Sequence, residues 1–318
     1  MTVGHADRRD HLVIGTRGSL LARWQAEHVS EALRRAHARL AVEIRVIVTS
    51  GDRLSGGGAV ADAGGKGVWV QEIEDALLAG EVDVAVHSLK DVPGELAPGL
   101  VVAAVPRRAD PRDAVVSRSG LGLLALPAGS RVGTSSLRRA CQIRALRADV
   151  SVEMLRGNVD TRLRKVADGT VDAAVLACAG IDRLGFGARI TERLSTDQML
   201  PAVGQGALAI EARADDERVL PLCRALADAD AEVTIAAERA LLARLEAGCR
   251  TPVAGHAVLD PGGAHVVVRG LVGRPAGSEI IRAQADGPPR DAAALGDEVA
   301  RRLLAGGAAQ ILAELGAR

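Results

Sequence analysis

Lysine is scarce in this chain of 318 residues. Of its 40 basic side chains only Lys66, Lys90 and Lys165 are lysines, and the rest are arginines. Such a bias lowers the weight of any single arginine as a functional signal, but it does not explain lysines retained inside motifs. Net charge is missing too, because 40 acidic residues balance the 40 basic ones. No global field recruits nucleic acid, and an anion site has to be built locally. With no Tyr, one Phe and two Trp, there is no basic surface interleaved with aromatics on which bases would stack. The four cysteines, Cys141, Cys178, Cys223 and Cys249, stand far apart, without a Cys-x-x-Cys pair or a histidine at zinc-ligand spacing. That leaves no metal site legible in the sequence and argues against a disulfide framework. No apolar run reaches the roughly 18 residues of a membrane helix. The polar start MTVGHADRRDH lacks the apolar stretch of a secretory signal. A cytoplasmic setting without a membrane partner is expected, with residues 1–10 a frayed extension.

What is present is globular: 48% hydrophobic and 25% charged residues, in a length that predicts two or three domains of roughly 100 residues each. His11–Thr16 reads as a buried strand stopping at Arg17-Gly18-Ser19. A helix follows, with Ser19 as N-cap and apolar residues at Leu21, Trp24, Val29 and Leu33. Val42–Val48 alternates like a strand, Ser55–Gly67 is a glycine-rich loop, and Val68–Ala79 has helical period. Val82–Val86 and Val101–Val105 are strands. The pattern then repeats with a turn at Arg131–Gly133, a helix over Ser136–Leu146, a strand at Val150–Leu155, a helix over Val159–Ala167 and a strand at Val171–Ala177. Alternation of this kind predicts two α/β domains with parallel sheets and a ligand cleft between them. Gln205–Ala212 reads as a strand returning to the first sheet. Beyond it come a helix over Ala231–Ala247 ending at Gly248, strands at Val253–Leu259, His265–Val272 and Glu279–Ala285, and one long helix over Ala292–Leu315. These predict a small α+β domain with a three-stranded sheet. The boundaries expected are 1–106 with 205–226, 107–204, and 227–318.

Five motifs carry chemistry. In Val86-His87-Ser88-Leu89-Lys90-Asp91-Val92-Pro93 a buried strand runs into a polar cluster at its C-terminal end, where open α/β sheets place ligands. A carboxylate beside an ammonium can act in acid/base work or stabilise a cation, although strand-end charges are common. Val132-Gly133-Thr134-Ser135-Ser136-Leu137-Arg138-Arg139 opens a helix with hydroxyl residues and two arginines. Free N–H groups there bind anions and guanidinium forks grip carboxylates; the bland alternative is an N-cap with solvated arginines. Leu155-Arg156-Gly157-Asn158-Val159-Asp160-Thr161-Arg162 and Arg17 with Ser19 repeat the strand-to-helix setting. Together these arginine-bearing turns suggest a site for several carboxylates. In Glu246-Ala247-Gly248-Cys249-Arg250-Thr251-Pro252 the thiol stands beside a cation, which lowers a thiol pKa and suits a nucleophile or attachment point; an inert cysteine is the commoner case.

The segments TRGSLLARWQA, GGKGVWVQEIE, DVAVHSLKDVP, VGTSSLRR, RGNVDTRL, LPAVGQGALAIE and ERALLARLEAGCRTPVAG, in this order, resemble the hydroxymethylbilane synthases, also called porphobilinogen deaminases. The resemblance runs over about residues 11–260. It implies a transferase that joins four porphobilinogen molecules head to tail on a dipyrromethane cofactor, with Cys249 as the thioether position and Asp91 as the catalytic carboxylate. Asp91 would stabilise the cationic pyrrole as ammonia leaves. The cofactor-binding positions it implies are Lys90, Ser88, Thr134, Ser136, Arg138, Arg139, Arg156, Gly157 and Asn158. The substrate-binding positions are Arg17, Ser19, Arg162, Arg183, Trp69 and Lys66. No metal is implied, and the family is usually monomeric. Its two larger domains resemble type II periplasmic binding proteins. The physical reading agrees, since every porphobilinogen brings an acetate and a propionate and a growing chain needs many fixed cations. Asp62 departs from the usual basic residue, Trp69 from Phe, Gly18 from Gln and Leu20 from Pro. Two other classes fit parts of the pattern. A carboxylate-binding protein without catalysis gives Cys249 no task, and a nucleic-acid-binding regulator is at odds with the neutral charge.

Overall fold

The computed structural model describes residues 10–51, 70–246 and 251–316. By contact the chain divides into two compact units, Met1–Arg108 with Ala207–Glu232, and Ala109–Gly206 with Val233–Arg318.

The first unit begins with β1 (His11–Thr16), whose apolar residues Leu12 and Ile14 are fully buried. α1 (Leu20–Ala36) starts at Ser19, whose Oγ accepts the Ala22 N–H at 3.3 Å. Ala26, Val29 and Leu33 recur at helical spacing and pack against Leu12 and Ile14. Arg34 and Arg35 sit in the last turn, where the helix dipole favours cations. β2 (Ala41–Val46) pairs parallel with β1, as a helical crossover requires. α2 (Gln71–Leu78) buries Ile73, Ala76 and Leu77. β3 (Val84–Ser88) and β4 (Leu100–Ala104) follow.

In the second unit β5 (Asp113–Ser117) leads to β6 (Arg131–Gly133), α3 (Leu137–Leu146), β7 (Ser151–Glu153), α4 (Val159–Ala167), β8 (Ala173–Ala177), α5 (Cys178–Arg183) and β9 (Glu192–Arg193). The chain then re-enters the first unit as β10 (Leu208–Arg213) and α6 (Val219–Arg224). The sheet orders are β2-β1-β3-β10-β4 and β7-β6-β8-β5-β9. In both, the fourth strand runs antiparallel to its two neighbours. That strand is in each case the first one laid down after the chain changes unit. It arrives without a βαβ crossover and is free of the parallel constraint that the crossover imposes.

The second unit also holds α7 (Ala229–Arg244), most of whose length follows residue 232, and the antiparallel sheet β11 (Val253–Leu259), β12 (Val266–Gly273) and β13 (Ile280–Gly287). α8 (Ala292–Leu303) and α9 (Ala309–Glu314) close it. The mixed α/β class and the three-stranded sheet expected from the sequence are present. The single helix expected over Ala292–Leu315 is not. It breaks at Leu304–Ala308, where Gly307 takes φ 107, a conformation open to glycine and closed to most other residues. β5 and β9 escaped the sequence reading because one opens on Pro111-Arg112-Asp113, which looks like loop, and the other is two residues long. The returning strand begins at Leu208 rather than Gln205, since Gln205 and Gly206 lie in a turn with Gly206 at φ 89.

α3 is held from outside its own sheet. Cys141 packs with Leu200, Ala254 and Leu271, and the Arg144 guanidinium donates to the Pro275 carbonyl at 2.6 Å. The core of the last sheet is sealed by α7 against α8, where Gly296 stands so close that a Cβ there would fall on the carbonyl oxygen of Ala237. Gly296→Ala is therefore expected to lower the unfolding free energy by about 3 kcal/mol, whereas Gly262→Ala, whose Cβ would meet only Asp260 Oδ2 at 3.8 Å, changes it by less than about 0.5 kcal/mol. Urea unfolding of the two variants checks both.

Candidate active site

In the first unit the sequence-predicted residues gather at one edge. β1 and β3 are parallel neighbours, with Gly15 opposite Ala85, so the residues that follow them emerge at the same C-terminal end of the sheet. Arg17 and Ser19 leave β1 there; Ser88, Lys90 and Asp91 leave β3 there. Lys90 and Asp91 share one short 3-10 turn, Leu89–Asp91. Its flanks are pinned, for Leu89 and Val92 are 1% and 3% exposed, the Leu89 N–H donates to the Ala207 carbonyl and the Val92 N–H to the Leu89 carbonyl. The two charged side chains are thus presented half-buried from a rigid backbone. Ser19 is spent partly on capping α1. Ser88 Oγ accepts the Gln25 side-chain amide at 2.8 Å. Gln25 is only 2% exposed and was not singled out from the sequence, although a glutamine on the apolar stripe of a helix is a usable signal.

Behind this turn lies a second buried group. His87 Nε2 and Glu211 Oε2 are 3.2 Å apart with both side chains nearly inaccessible. Burial, and then the negative Glu211, push the nearby Glu74 carboxyl above its ordinary value, against a smaller opposing pull from His87.

In the second unit the predicted residues leave three adjacent parallel strands, β7, β6 and β8. Thr134 follows β6 and is 4% exposed; its Oγ1 accepts the Ser136 N–H, and Ser136 Oγ accepts the Arg139 N–H as N-cap of α3. Arg138 and Arg139, in the first turn, are not the solvated pair that the bland alternative supposes. They are 3% and 5% exposed and share the fully buried carboxylate of Asp113. Arg138 Nη1 donates to Asp113 Oδ2 at 2.8 Å and to the Leu200 carbonyl at 2.7 Å. Arg139 Nε and Nη2 both donate to Asp113 Oδ1, at 2.9 and 2.7 Å. Gln205 completes the group, its amide donating to Asp113 Oδ1 at 3.0 Å and to the Pro111 carbonyl at 2.6 Å. Burial by itself would push the Asp113 carboxyl up; the charges and hydrogen bonds of the two arginines outweigh it and hold it down to about 2. Neither Asp113 nor Gln205 was singled out from the sequence. Asp113 sits in the run Asp110-Pro111-Arg112-Asp113, where nothing in the spacing tells it apart from Asp110.

After β7, Arg156, Gly157 and Asn158 are exposed. Gly157 takes φ 115, and a Cβ there would strike Thr161 Cγ2 at 2.7 Å, so the turn demands glycine. Arg162 Nε donates to the Gly157 carbonyl at 2.7 Å. Arg183, at the end of α5, donates to the Gly206 carbonyl at 2.8 Å, and burial brings its guanidinium down to about 10. Lys66, Trp69 and Cys249, together with Asp62 and the Gly56–Gly58 run, lie outside the described residues. Among the described residues no cluster of His, Cys, Asp and Glu could hold a metal ion, and no helix is long and apolar enough to cross a membrane.

Each unit therefore offers a polar edge at the ends of parallel strands. One carries a carboxylate beside an ammonium, suited to a developing cation; the other carries guanidinium groups suited to carboxylates.

The family model described as "Porphobilinogen deaminase, dipyromethane cofactor binding domain" matches residues 12–221, and "Porphobilinogen deaminase, C-terminal domain" matches residues 233–305. A protein of Syntrophobacter fumaroxidans named porphobilinogen deaminase is 49% identical over 302 residues, covering 95% of this chain and 97% of its own length. One of the same name from a Roseiflexus species is 50% identical over 302 residues, covering 95% and 98%. Among solved structures, a double mutant of the BvgS VFT2 domain of Bordetella pertussis is 18% identical, with 70% of this chain and 88% of that one covered at a TM-score of 0.41.

Two outcomes are expected from the buried groups. Burial pushes the thiols of Cys141 and Cys178 up to about 11 and that of Cys223 up to about 12, so none of the three is a thiolate at neutral pH. Iodoacetamide should leave all three unmodified in the folded protein and label them in urea, as peptide mass mapping would record. Asp113 has a folded pKa below its ordinary 3.8. Its contribution, about 2 kcal/mol, is present above pH 4 and lost as the pH falls from 4 toward 2. Urea unfolding across that range should show the loss in the wild-type protein and a correspondingly smaller one in Asp113→Asn.

Proposed function

The chain belongs to the porphobilinogen deaminase family, and from that premise we propose that it is a hydroxymethylbilane synthase, a transferase that deaminates four porphobilinogen molecules and joins them head to tail. The observation that carries the reading is the match over residues 12–221 to the dipyromethane cofactor binding domain, which spans Asp91, Arg17, Arg138, Arg139, Arg156, Arg162 and Arg183.

The residues present fit a dipyrromethane group. Two guanidiniums against one carboxylate leave the Arg138–Arg139–Asp113 cluster with an excess positive charge, and Arg138 Nε is buried without a hydrogen-bond partner among the described residues. A group bearing carboxylates answers both. When bound through Cys249, it supplies the free pyrrole carbon onto which new units are joined. Lys90, Ser88, Thr134, Ser136, Arg138, Arg139, Arg156, Gly157 and Asn158 would hold it. Arg17, Ser19, Lys66, Trp69, Arg162 and Arg183 would receive the incoming porphobilinogen.

Asp91 has the central task. Loss of ammonia from the aminomethyl group leaves a positive charge delocalised on the pyrrole. A half-buried carboxylate fixed on a rigid turn stabilises that charge as it develops, at no reorganisation cost. Lys90, one residue away, would neutralise a carboxylate of the dipyrromethane group. The arginines cancel the acetate and propionate charges that each added unit brings. A protein that only bound carboxylates would use the same arginines and leave Asp91 idle. The proposal includes a division into 1–106 with 205–226, 107–204 and 227–318, a cytoplasmic setting, a monomer, and neither nucleic acid nor membrane as a partner.

Intact-protein mass spectrometry tests the reading. The wild-type protein should carry a dipyrromethane adduct that is lost in Cys249→Ser, and Asp91→Ala should stay folded with turnover reduced by at least about 1000-fold. A folded wild-type protein of unmodified mass, or near-normal turnover in Asp91→Ala, would contradict it.

A further inference from the structure

The arginine pair does not stand by itself. Asp113 takes hydrogen bonds from both guanidiniums, and its oxygens are divided: Oδ1 receives Arg139 Nε, Arg139 Nη2 and the Gln205 amide, while Oδ2 receives Arg138 Nη1. A carboxylate has room for about four such donors, so Asp113 is saturated. The other nearby acid, Asp110, is taken up by Arg112 and Arg193. Arg139 is clamped through Nε and Nη2 on Asp113 Oδ1, with a long contact of 3.4 Å from Nη2 to Gln205 Oε1. Among the described residues Arg138 is held through Nη1 by Asp113 Oδ2 and the Leu200 carbonyl, and through Nη2 by a long bond of 3.4 Å to Gln205 Oε1. Its Nε is buried and has no acceptor among the described residues, where the two guanidiniums and the one carboxylate leave the cluster one positive charge. The orphaned nitrogen sits on Arg138 and the excess charge on the pair, and a buried charge without its counter-charge is costly to keep.

We propose that Asp113 is a positioning residue. It cancels one of the two arginine charges and aims Arg138 so that the pair accepts a single ligand carboxylate through Arg138. Arg139 serves as the counter-strut that keeps Asp113 ionised and in place. The inference rests on the proposed function only for the identity of the ligand, a carboxylate of the dipyrromethane group. The charge count and the orphaned Nε do not depend on it.

Three measurements test this on the full-length chain. First, Asp113→Asn is purified and its mass and thermal midpoint are recorded. The variant should fold, with a lower midpoint, and carry the adduct at an occupancy reduced at least about tenfold, because a misaimed guanidinium misplaces the group to be attached. Wild-type occupancy in folded Asp113→Asn overturns the proposal. Second, Cys249→Ser, which lacks the attachment point, is melted in sodium acetate and in sodium chloride at equal ionic strength. Acetate should raise its midpoint above that in chloride, less so when Asp113→Asn is added and not at all when Arg138→Gln is added. A purely structural Asp113 would not change the acetate response, and equal midpoints in the two salts overturn the single-carboxylate site. Third, if Asp113→Asn does not fold, Asp113→Asn with Arg139→Gln removes the ion pair as a unit and leaves one charge on Arg138. Low occupancy in the folded double variant supports the aiming role, and full occupancy overturns it. Absence of the adduct from the wild-type protein would instead sink the enzymatic reading, and the acetate melts would still decide the charge argument.

Discussion

The carboxylate of Asp113 lies out of water between two guanidiniums, and the arrangement of the second unit follows from what it takes to keep that charge there. An isolated buried carboxylate would give up its charge by taking a proton. Two arginines and a glutamine amide donate to the group, the charges and hydrogen bonds of the arginines hold the acid ionised, and the Leu200 carbonyl anchors Arg138. The cost falls on geometry: α3 must begin where Arg138 and Arg139 reach β5, Thr134 and Ser136 must cap that helix, and the Leu200–Gln205 segment must return past it. The β12–β13 hairpin then packs on α3 through Cys141 and Arg144. Arginines placed at so many constraints are held out of solvent, unlike the exposed guanidinium of Arg156.

A second constraint acts on both sheets. Parallel strands joined by helices put all their outgoing turns at one edge. Both five-stranded sheets share one strand order with one antiparallel intruder, so the turns after β1 and β3, and those after β6, β7 and β8, collect the polar residues without any residue-level instruction to do so. Rigidity differs between them. The Lys90–Asp91 turn is pinned by Leu89 and Val92, whereas Arg156 and Asn158 stand exposed on a turn shaped by Gly157. A carboxylate that stabilises a transition-state charge gains from fixed placement; cations that follow a lengthening polyanion lose less by moving.

Much of this was legible beforehand where local signals agree. His11–Thr16, Val159–Ala167 and Val253–Leu259 have the predicted limits because their hydrophobic period and caps point the same way. Ser19 is the N-cap that its place before an apolar period suggested. The reading erred where the deciding contact is distant. Asp113–Ser117 is a strand only because β8 and β9 flank it. Gln25 and Gln205 look like ordinary polar residues until their amides are seen to reach Ser88 and Asp113. Ala292–Leu315 has the composition of one helix, and the Gly306-Gly307 pair inside it breaks the run.

By itself the sequence determined the class of the fold, most of its elements and the chemical inventory: a Lys-Asp pair at a strand end, arginines at helix starts, and a cysteine beside an arginine. Those properties depend on neighbours a few residues away, and the chain spells them out. Only the tertiary structure decided which charges are in water and which are not. It buried Arg138 and Arg139 on an aspartate more than twenty positions earlier in the chain, and left one nitrogen of one guanidinium without an acceptor among the described residues. Burial and charge balance are sums over everything that surrounds a group, and those surroundings exist only once the distant segments have packed.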